Sequence, residues 1–472
     1  MMPAFYSRTG NEQAYLSCRQ RVRDGQPSKD SFMRSLHTSP LTTLLFLGQW
    51  LFIAFIVAVL AGSASAAFLF SLEWATASRE SHRWMIWLLP VAGFSVGWVY
   101  LRYGSRVEAG NNLILEEIHH PAQVIPLRMA PLVFISTVIS HLFGASVGRE
   151  GTAVQMGASI ADQFTALLRL NNNGRRIVLM TGISAGFSSV FGTPLAAALF
   201  ALEVLAIGRM DYRAILPCLF AAIVADQVGL MWGVQHTHYL VTSIPALSAW
   251  TLLAVILAGC CFGLAARLFA DTTHLLSSLM KKQLPYAPLR PFIGGLVIAT
   301  AVSLLHGERY IGLGIPEISD AFLHPLAAWD FCGKLIFTVI SLGSGFKGGE
   351  VTPLFYIGAT LGNTLAPLMH LPVGFLAGLG FVALFAGAAN TPVASTLMAI
   401  ELFGAEIGVY AALACVVAYL VSGYTGIYRA QRIAGPKHRV VPTGIRLAEL
   451  PAWHQRQTPA ASETKEDKHP SR

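Results

Sequence analysis

TPLAAALFALE, from Thr193 to Glu203, and TPVASTLMAIE, from Thr391 to Glu401, keep Thr, Pro, Ala, Leu, Ala and Glu in register at an offset of 198 residues. Chance does not readily give two such phrases, so the chain carries an internal repeat. Two weaker pairs keep nearly the same spacing. GREGT at Gly148 to Thr152 answers GGEVT at Gly348 to Thr352, 200 residues on, and GNNLILEEI at Gly110 answers GLGIPEISD at Gly312, 202 on. Three ordered anchors divide the chain into a first half at 42–232, a connecting loop at 233–246 and a second half at 247–428, with a polar tail at 1–41 and a basic tail at 429–472.

The medium around these halves follows from composition. Of 472 residues, 54% are hydrophobic and only 12% charged, about half the charged share of a soluble globular protein. Uncharged runs such as Thr42 to Leu72, Met129 to Gly148 and Trp250 to Ala265 are near or beyond the roughly 20 residues that cross a bilayer. Helices are expected at 42–73, 82–102, 110–120, 124–143, 151–170, 176–191, 193–208, 212–232, 247–281, 290–306, 315–325, 327–343, 351–369, 373–389, 391–404 and 406–424. Many are shorter than a bilayer and broken by Gly or Pro, which lipid tolerates only where protein or water covers the freed backbone groups. Paired halves with broken helices at matching places are the pattern of transporters that bind at the midplane.

The net charge of +8 gathers at both ends, where Arg19, Arg21 and Arg23 precede the first span and Arg429, Arg432, Lys437 and Arg439 follow the last. Positive flanks stay inside, so both termini are expected in the cytoplasm. No basic stripe with interleaved aromatics points to nucleic acid. The six Cys lack CxxC spacing and read as packing residues rather than metal ligands or bridges. The first apolar run starts near Leu41 and outlasts a signal peptide's core, so no cleavable leader is expected, and Met33 offers an alternative start.

GREGT places Arg149 and Glu150 between two apolar runs, and an intramembrane charge is costly enough to suggest function. A Gly-flanked turn before a helix leaves N–H groups pointing outward, which with the helix dipole forms an anion site. A carboxylate such as Glu150 could fill that site and, once protonated, yield it to a free anion. The alternative is a charged pair at a wet helix end, and this motif alone leaves both readings open. GSGFKGGEVTP, Gly343 to Pro353, is the second-half counterpart, with donors near Glu350 and Val351. Asn111 and Asn112 stand where Asn commonly caps a helix. Tyr424 and Tyr428 read first as headgroup anchors.

Together, GREGT with VQMGASI, TPLAAALFALE, GSGFKGGEVTP with LFYIGATLGN, and the terminal GIY resemble the CLC family of chloride channels and anion/proton antiporters over about 42–430. The resemblance implies an all-α polytopic membrane protein, an inverted repeat of two helical halves with broken and tilted helices, assembled as a homodimer with one pore per subunit. It implies that Glu150 is the gating glutamate and proton acceptor, that Asn111 stands where typical members have an anion-contacting Ser, that the amides of Gly151 and Val351 and the hydroxyl of Thr352 help hold the anion, and that the Tyr428 hydroxyl closes the inner side.

The departures are Asn111 for that Ser, Thr152 after GREG, Val204 where chloride/proton antiporters carry an internal glutamate, and Glu350 where others are apolar. This set is similar to the fluoride/proton antiporter branch and makes Glu350 a second carboxylate. The implied function is proton-coupled fluoride export across a bacterial inner membrane, the alternative being a chloride/proton antiporter or passive chloride channel. The implied partners are fluoride or chloride, protons, membrane lipid and a second copy, with no cofactor, metal or nucleic acid. Two other classes are an intramembrane metalloenzyme using Glu116, Glu117, His119 and His120, whose EEIHH lacks HExxH spacing, and a scaffold acting through its tails. GLGIPE at 312–317 lacks the strand that a nucleotide loop needs.

Overall fold

The computed structural model describes residues 40–237, 239–438 and 441–457. The chain divides into two compact units, Met1–Phe52, whose described part is the opening of the first helix, and Ile53–Arg472. The helices are α1 (Pro40–Ser81), α2 (Leu89–Val99), α3 (Asn111–His119), α4 (Met129–Leu142), α5 (Glu150–Leu167), α6 (Asn172–Phe191), α7 (Pro194–Glu203), α8 (Ile215–Met231), α9 (Ala249–Gln283), α10 (Leu289–Leu305), α11 (Ile315–Leu323), α12 (Asp330–Ser344), α13 (Val351–Met369), α14 (Val373–Ala389), α15 (Pro392–Phe403), α16 (Gly408–Val421) and α17 (Leu450–Gln457). Each expected stretch overlaps one of the first sixteen. Differences lie at the ends: α1 runs on to Ser81, and the stretch 82–102 resolves into a 3-10 turn at Arg83–Leu88, α2, and a π turn at Tyr100–Gly104. The first five residues of the 124–143 stretch are not helical, because Pro126 is followed by a turn that opens α4 at Met129.

Among the described residues four helical stretches, Thr43–Ser81, Arg83–His119, Tyr212–Met231 and Ala249–Gln283, are long and apolar enough to cross a membrane. The remaining apolar helices are shorter, such as α7 and α15, the two copies of the repeated phrase. These two lie head to tail and cap each other. Glu203 at the end of α7 accepts from the amides of Val393 and Ala394 at the start of α15, at 3.1 and 2.8 Å. Glu401 in the last turn of α15 accepts from Leu195 and Ala196 at the start of α7, both at 2.8 Å. The first amides of a helix have no partner of their own, and here the other half supplies one. Thr193 and Thr391, which hold the cap positions, are buried with their Oγ1 atoms unbonded, because the carboxylates have taken their task. Equivalent residues contacting each other reciprocally, on antiparallel helices, make the two halves inverted copies.

A second reciprocal contact joins the other anchors: Gly148 N donates to Gly349 O at 2.6 Å and Gly349 N to Gly148 O at 2.8 Å. Within each half the helix behind the anchor packs closely on the next. A β-carbon on Gly157 of α5 would lie 2.3 Å from Gly182 O of α6, and one on Gly380 of α14 would lie 2.0 Å from Gly358 O of α13. Small residues let backbones approach where lipid gives no hydrophobic drive. Gly380→Ala should therefore lower stability by about 1–3 kcal/mol, read as a lower midpoint of thermal unfolding in detergent; an unchanged midpoint would show that α13 and α14 can separate.

The core between the halves is aromatic. Phe187 stacks on Phe200 at 4.7 Å, Phe200 on Phe385 at 5.8 Å and Phe355 on Phe381 at 4.0 Å. One charged knot is buried beside it. Asp162 of α5 receives Arg175 Nε and Nη2 of α6, both at 2.8 Å, while Arg175 Nη1 reaches Glu117 of α3 at 3.0 Å. Fully paired, such charges escape the penalty of lone burial, and this set fixes α3 onto α5 and α6.

The described part of the basic segment from 429 onward packs back against the first half of the chain. Strand β1 (Ala206–Ile207) pairs in parallel with β2 (Arg432–Ile433), and Ile433, Val441, Leu447 and Leu450 are buried with Ile207. The missed signal is the apolar spacing of those residues within a basic segment. The 1–41 tail, apart from Pro40 and Leu41, lies outside the described residues.

Candidate functional site

The sites of GREGT and GGEVT meet where the N-termini of α5 and α13 face each other. Glu150, the first residue of α5, is 1% exposed. Its carboxylate reaches across to the other half: Thr352 N donates to Oε2 at 3.0 Å, and Thr352 Oγ1 lies 2.7 Å from Oε1 and 2.6 Å from Oε2. Arg149 N adds a donor to Oε2 at 3.2 Å, and the Arg149 guanidinium stands 3.4 Å from Oε1. A buried anionic group thus sits on the start of a helix whose dipole and free amides favour negative charge. Arg149 also lines a cavity of about 790 Å³ shared with Glu73, Glu80, Glu308, Glu317 and His236, so a polar cavity comes to within one residue of Glu150.

Gly151 lies beside two other expected residues, Asn111 and Glu350. A β-carbon there would lie 3.0 Å from Asn111 Nδ2, 3.1 Å from Gly349 Cα and 3.7 Å from Glu350 Oε2. The carboxamide of Asn111 and the carboxyl of Glu350 therefore converge on the α5 N-terminus from opposite halves. Asn111 Oδ1 and Glu350 Oε2 are both buried without a hydrogen-bond partner. Buried polar atoms normally find a partner, and two acceptor oxygens of this kind suit a donor such as water or a proton. Val351, the first residue of α13, is buried beside them. Thr152 departs from the rest: its Oγ1 bonds Thr137 Oγ1 of α4 at 2.9 Å, a packing role that explains a hydroxyl there.

Tyr428 is 5% exposed, with its ring 6.4 Å from Phe200 in the aromatic core, so it is not a headgroup anchor. Among the described residues no hydrogen bond joins its hydroxyl to Glu150, Glu350 or Asn111. It is tied to the site through the backbone, since Ala430 N donates to Asn112 Oδ1 at 2.9 Å. Asn112 is the residue that sequence reasoning passed over as a simple cap; its hydrogen bond spans 318 positions of sequence, and only the fold brings them together. Replacing it by Ala leaves a half-buried amide unpaired at a cost of about 1–3 kcal/mol. Asn112→Ala should lower the unfolding midpoint and loosen the Tyr428 segment, measured by faster amide exchange at 428–431; unchanged exchange would remove this tether.

The residues considered for a metalloenzyme do not converge. Glu117 is in the Arg175 knot, His119 Nε2 meets Leu205 O at 2.8 Å, and Glu116 faces Arg446 at 3.4 Å. No group of three metal-ligating side chains exists among the described residues.

The family model for the voltage gated chloride channel matches residues 92–423. The chain belongs to the CLC family. It is accordingly a membrane transport protein rather than an enzyme. A CLC relative from Pseudomonas syringae pv. tomato, named chloride/fluoride channel protein, is 60% identical over 90% of this chain and 95% of its own. The solved structure of a CLC-type fluoride/proton antiporter superposes with a TM-score of 0.80 at 36% identity, covering 84% of this chain and 100% of that one. The H(+)/Cl(-) exchange transporter ClcA of Cronobacter sakazakii is 27% identical over 77% of this chain and 82% of its own. The fold is thus CLC-like, and the inversion implied by the sequence resemblance is the one that the reciprocal caps build.

Proposed function

We propose that this CLC protein exchanges fluoride for protons, with Glu150 as both gate and proton acceptor. The observation that carries the reading is the seat of Glu150, whose carboxylate occupies the amide and hydroxyl of Thr352 that an incoming anion would need. A proton arriving from the cavity beside Arg149 removes that carboxylate's charge, the side chain leaves, and an anion takes the donors. Asn111, the amides of Gly151 and Val351, Thr352 and Tyr428 then line the anion's route, and Glu350 serves as the second carboxylate. Fluoride is strongly hydrated and gives up water only to short, strong donors, which helix ends and hydroxyls provide. The reading is supported by the names of the two most informative relatives, a chloride/fluoride channel protein and a CLC-type fluoride/proton antiporter.

The protein works as a homodimer in a bacterial inner membrane with both termini in the cytoplasm, an orientation favoured by the basic residues at both ends. Of the expected divisions, 42–232 and 247–428 act as the two halves around the site, joined by 233–246. A chloride/proton exchanger is the second reading, favoured by the likeness to the ClcA exchanger. Val204, which stands where chloride/proton antiporters carry an internal glutamate, argues against it. Proteoliposomes loaded with both halides decide between them, with efflux followed by fluoride- and chloride-selective electrodes and internal pH by a dye. Fluoride should leave with opposite proton movement while chloride stays; equal chloride efflux would end the fluoride reading.

A further inference from the structure

Between α2 and α4 runs an apolar groove of about 550 Å³, lined by Val91, Val99, Ile135, Phe143 and Tyr100. Val91 and Ile135 are exposed, so the groove opens on the hydrocarbon side. Tyr100 also lines a second cavity of about 90 Å³, where Lys281, Arg290 and Lys347 gather with Glu108 as the one carboxylate of the lining. Three cations against one anion leave this small polar end with a formal surplus of positive charge. The Lys347 ammonium lies 4.2 Å over the Tyr100 ring, and Arg290 is pinned by donating to Leu284 O at 2.8 Å and Pro285 O at 3.1 Å.

Depth in the membrane follows from connectivity. Helix α9 ends at Gln283 and α10 begins at Leu289, so the turn between them and the flanking helix ends that carry Lys281, Lys282 and Arg290 lie at a bilayer surface, and the chain after α2 leaves the membrane beside it through Arg102 and Arg106. A Lys- and Arg-rich surface of this kind faces the cytoplasm, where anionic lipids abound and basic pockets between helices bind their headgroups.

We propose that an anionic phospholipid binds here, its phosphodiester among Lys281, Arg290 and Lys347 and one acyl chain in the α2–α4 groove. A zwitterionic headgroup carries its own cation and fits a positive pocket poorly. Lys347 belongs to the loop leading to Glu350 and α13, so an occupied pocket holds that loop in place. The inference rests on the orientation with the α9–α10 turn inside and is independent of which halide is carried.

The test is native mass spectrometry of the full chain in micelles containing equimolar phosphatidylglycerol and phosphatidylcholine. Wild-type protein should retain the anionic lipid over the zwitterionic one by about tenfold, equivalent to about 1.4 kcal/mol. Lys281→Gln changes an exposed residue outside the anion site and should cut that ratio severalfold, and Lys281→Gln with Lys347→Gln should bring it to unity. Ile135→Trp, which fills the groove, should reduce retention of the anionic lipid with the cations intact. An unchanged ratio in Lys281→Gln, or full retention in Ile135→Trp, overturns the proposal. Displacement of the lipid by millimolar inorganic phosphate also overturns it, because the pocket would then be a site for free anions.

Discussion

Glu150→Gln should abolish proton movement coupled to anion transport, while the protein folds and fluoride still crosses. The carboxylate is almost wholly buried and held by the amide and hydroxyl of Thr352, the Arg149 amide and the Arg149 guanidinium, all donors. Charge-assisted bonds of this kind are roughly twice as strong as neutral ones. Glutamine keeps the shape but cannot carry a proton and turns an NH2 group toward donors already crowded there. The gate therefore closes less firmly, and nothing remains to bind the proton in exchange. In proteoliposomes a pH gradient should drive fluoride uphill through the wild type, whereas the variant should only let it run down its own gradient. Uphill transport retained by Glu150→Gln would remove Glu150 from the proton path.

Glu203→Ala should be among the most destabilising single changes in the molecule. Its carboxylate accepts two amides at the start of α15 and is 6% exposed, so truncation leaves two donors without a partner inside the protein. Lost bonds to a charged acceptor, with the donors left buried, cost about 3–5 kcal/mol together. Glu401→Ala removes the mirror-image cap from α7 and should cost less, because Glu401 is only partly buried. Glu203→Gln keeps one acceptor oxygen and should recover about half of the loss. Unfolding midpoints in detergent should rank wild type, Glu401→Ala and Glu203→Ala in descending order. A Glu203→Ala midpoint equal to wild type would mean that water caps α15, and the reciprocal capping would then be incidental to stability.

The two halves could be read from sequence because TPLAAALFALE and TPVASTLMAIE perform one task in duplicate, and a task done twice constrains the same residue types twice. Glu150 stood out for a similar reason, since a carboxylate within apolar runs is too costly to be idle, whereas Glu350 stood out as a second carboxylate only through the resemblance to the fluoride/proton antiporter branch. Asn112 did not stand out, because one Asn at a helix start looks the same whether it caps its own helix or bonds Ala430 far along the chain. The basic segment after Tyr428 shows its charge in sequence, while the burial of Ile433, Leu447 and Leu450 within it shows only in the fold.

The apolar composition suited to a membrane, the approximate extent of most helices, the duplication and the placing of Glu150 between apolar runs are properties of local composition and spacing, and the amino-acid sequence determined them unaided. Which way the second half points, and what each carboxylate touches, depended on contacts between residues about 200 positions apart: Glu203 on Val393, Glu150 on Thr352, Gly148 on Gly349. A hydrogen bond lasts only within about 3 Å and at the right angle, and no periodicity along the chain encodes that; only the folded arrangement of the two halves does.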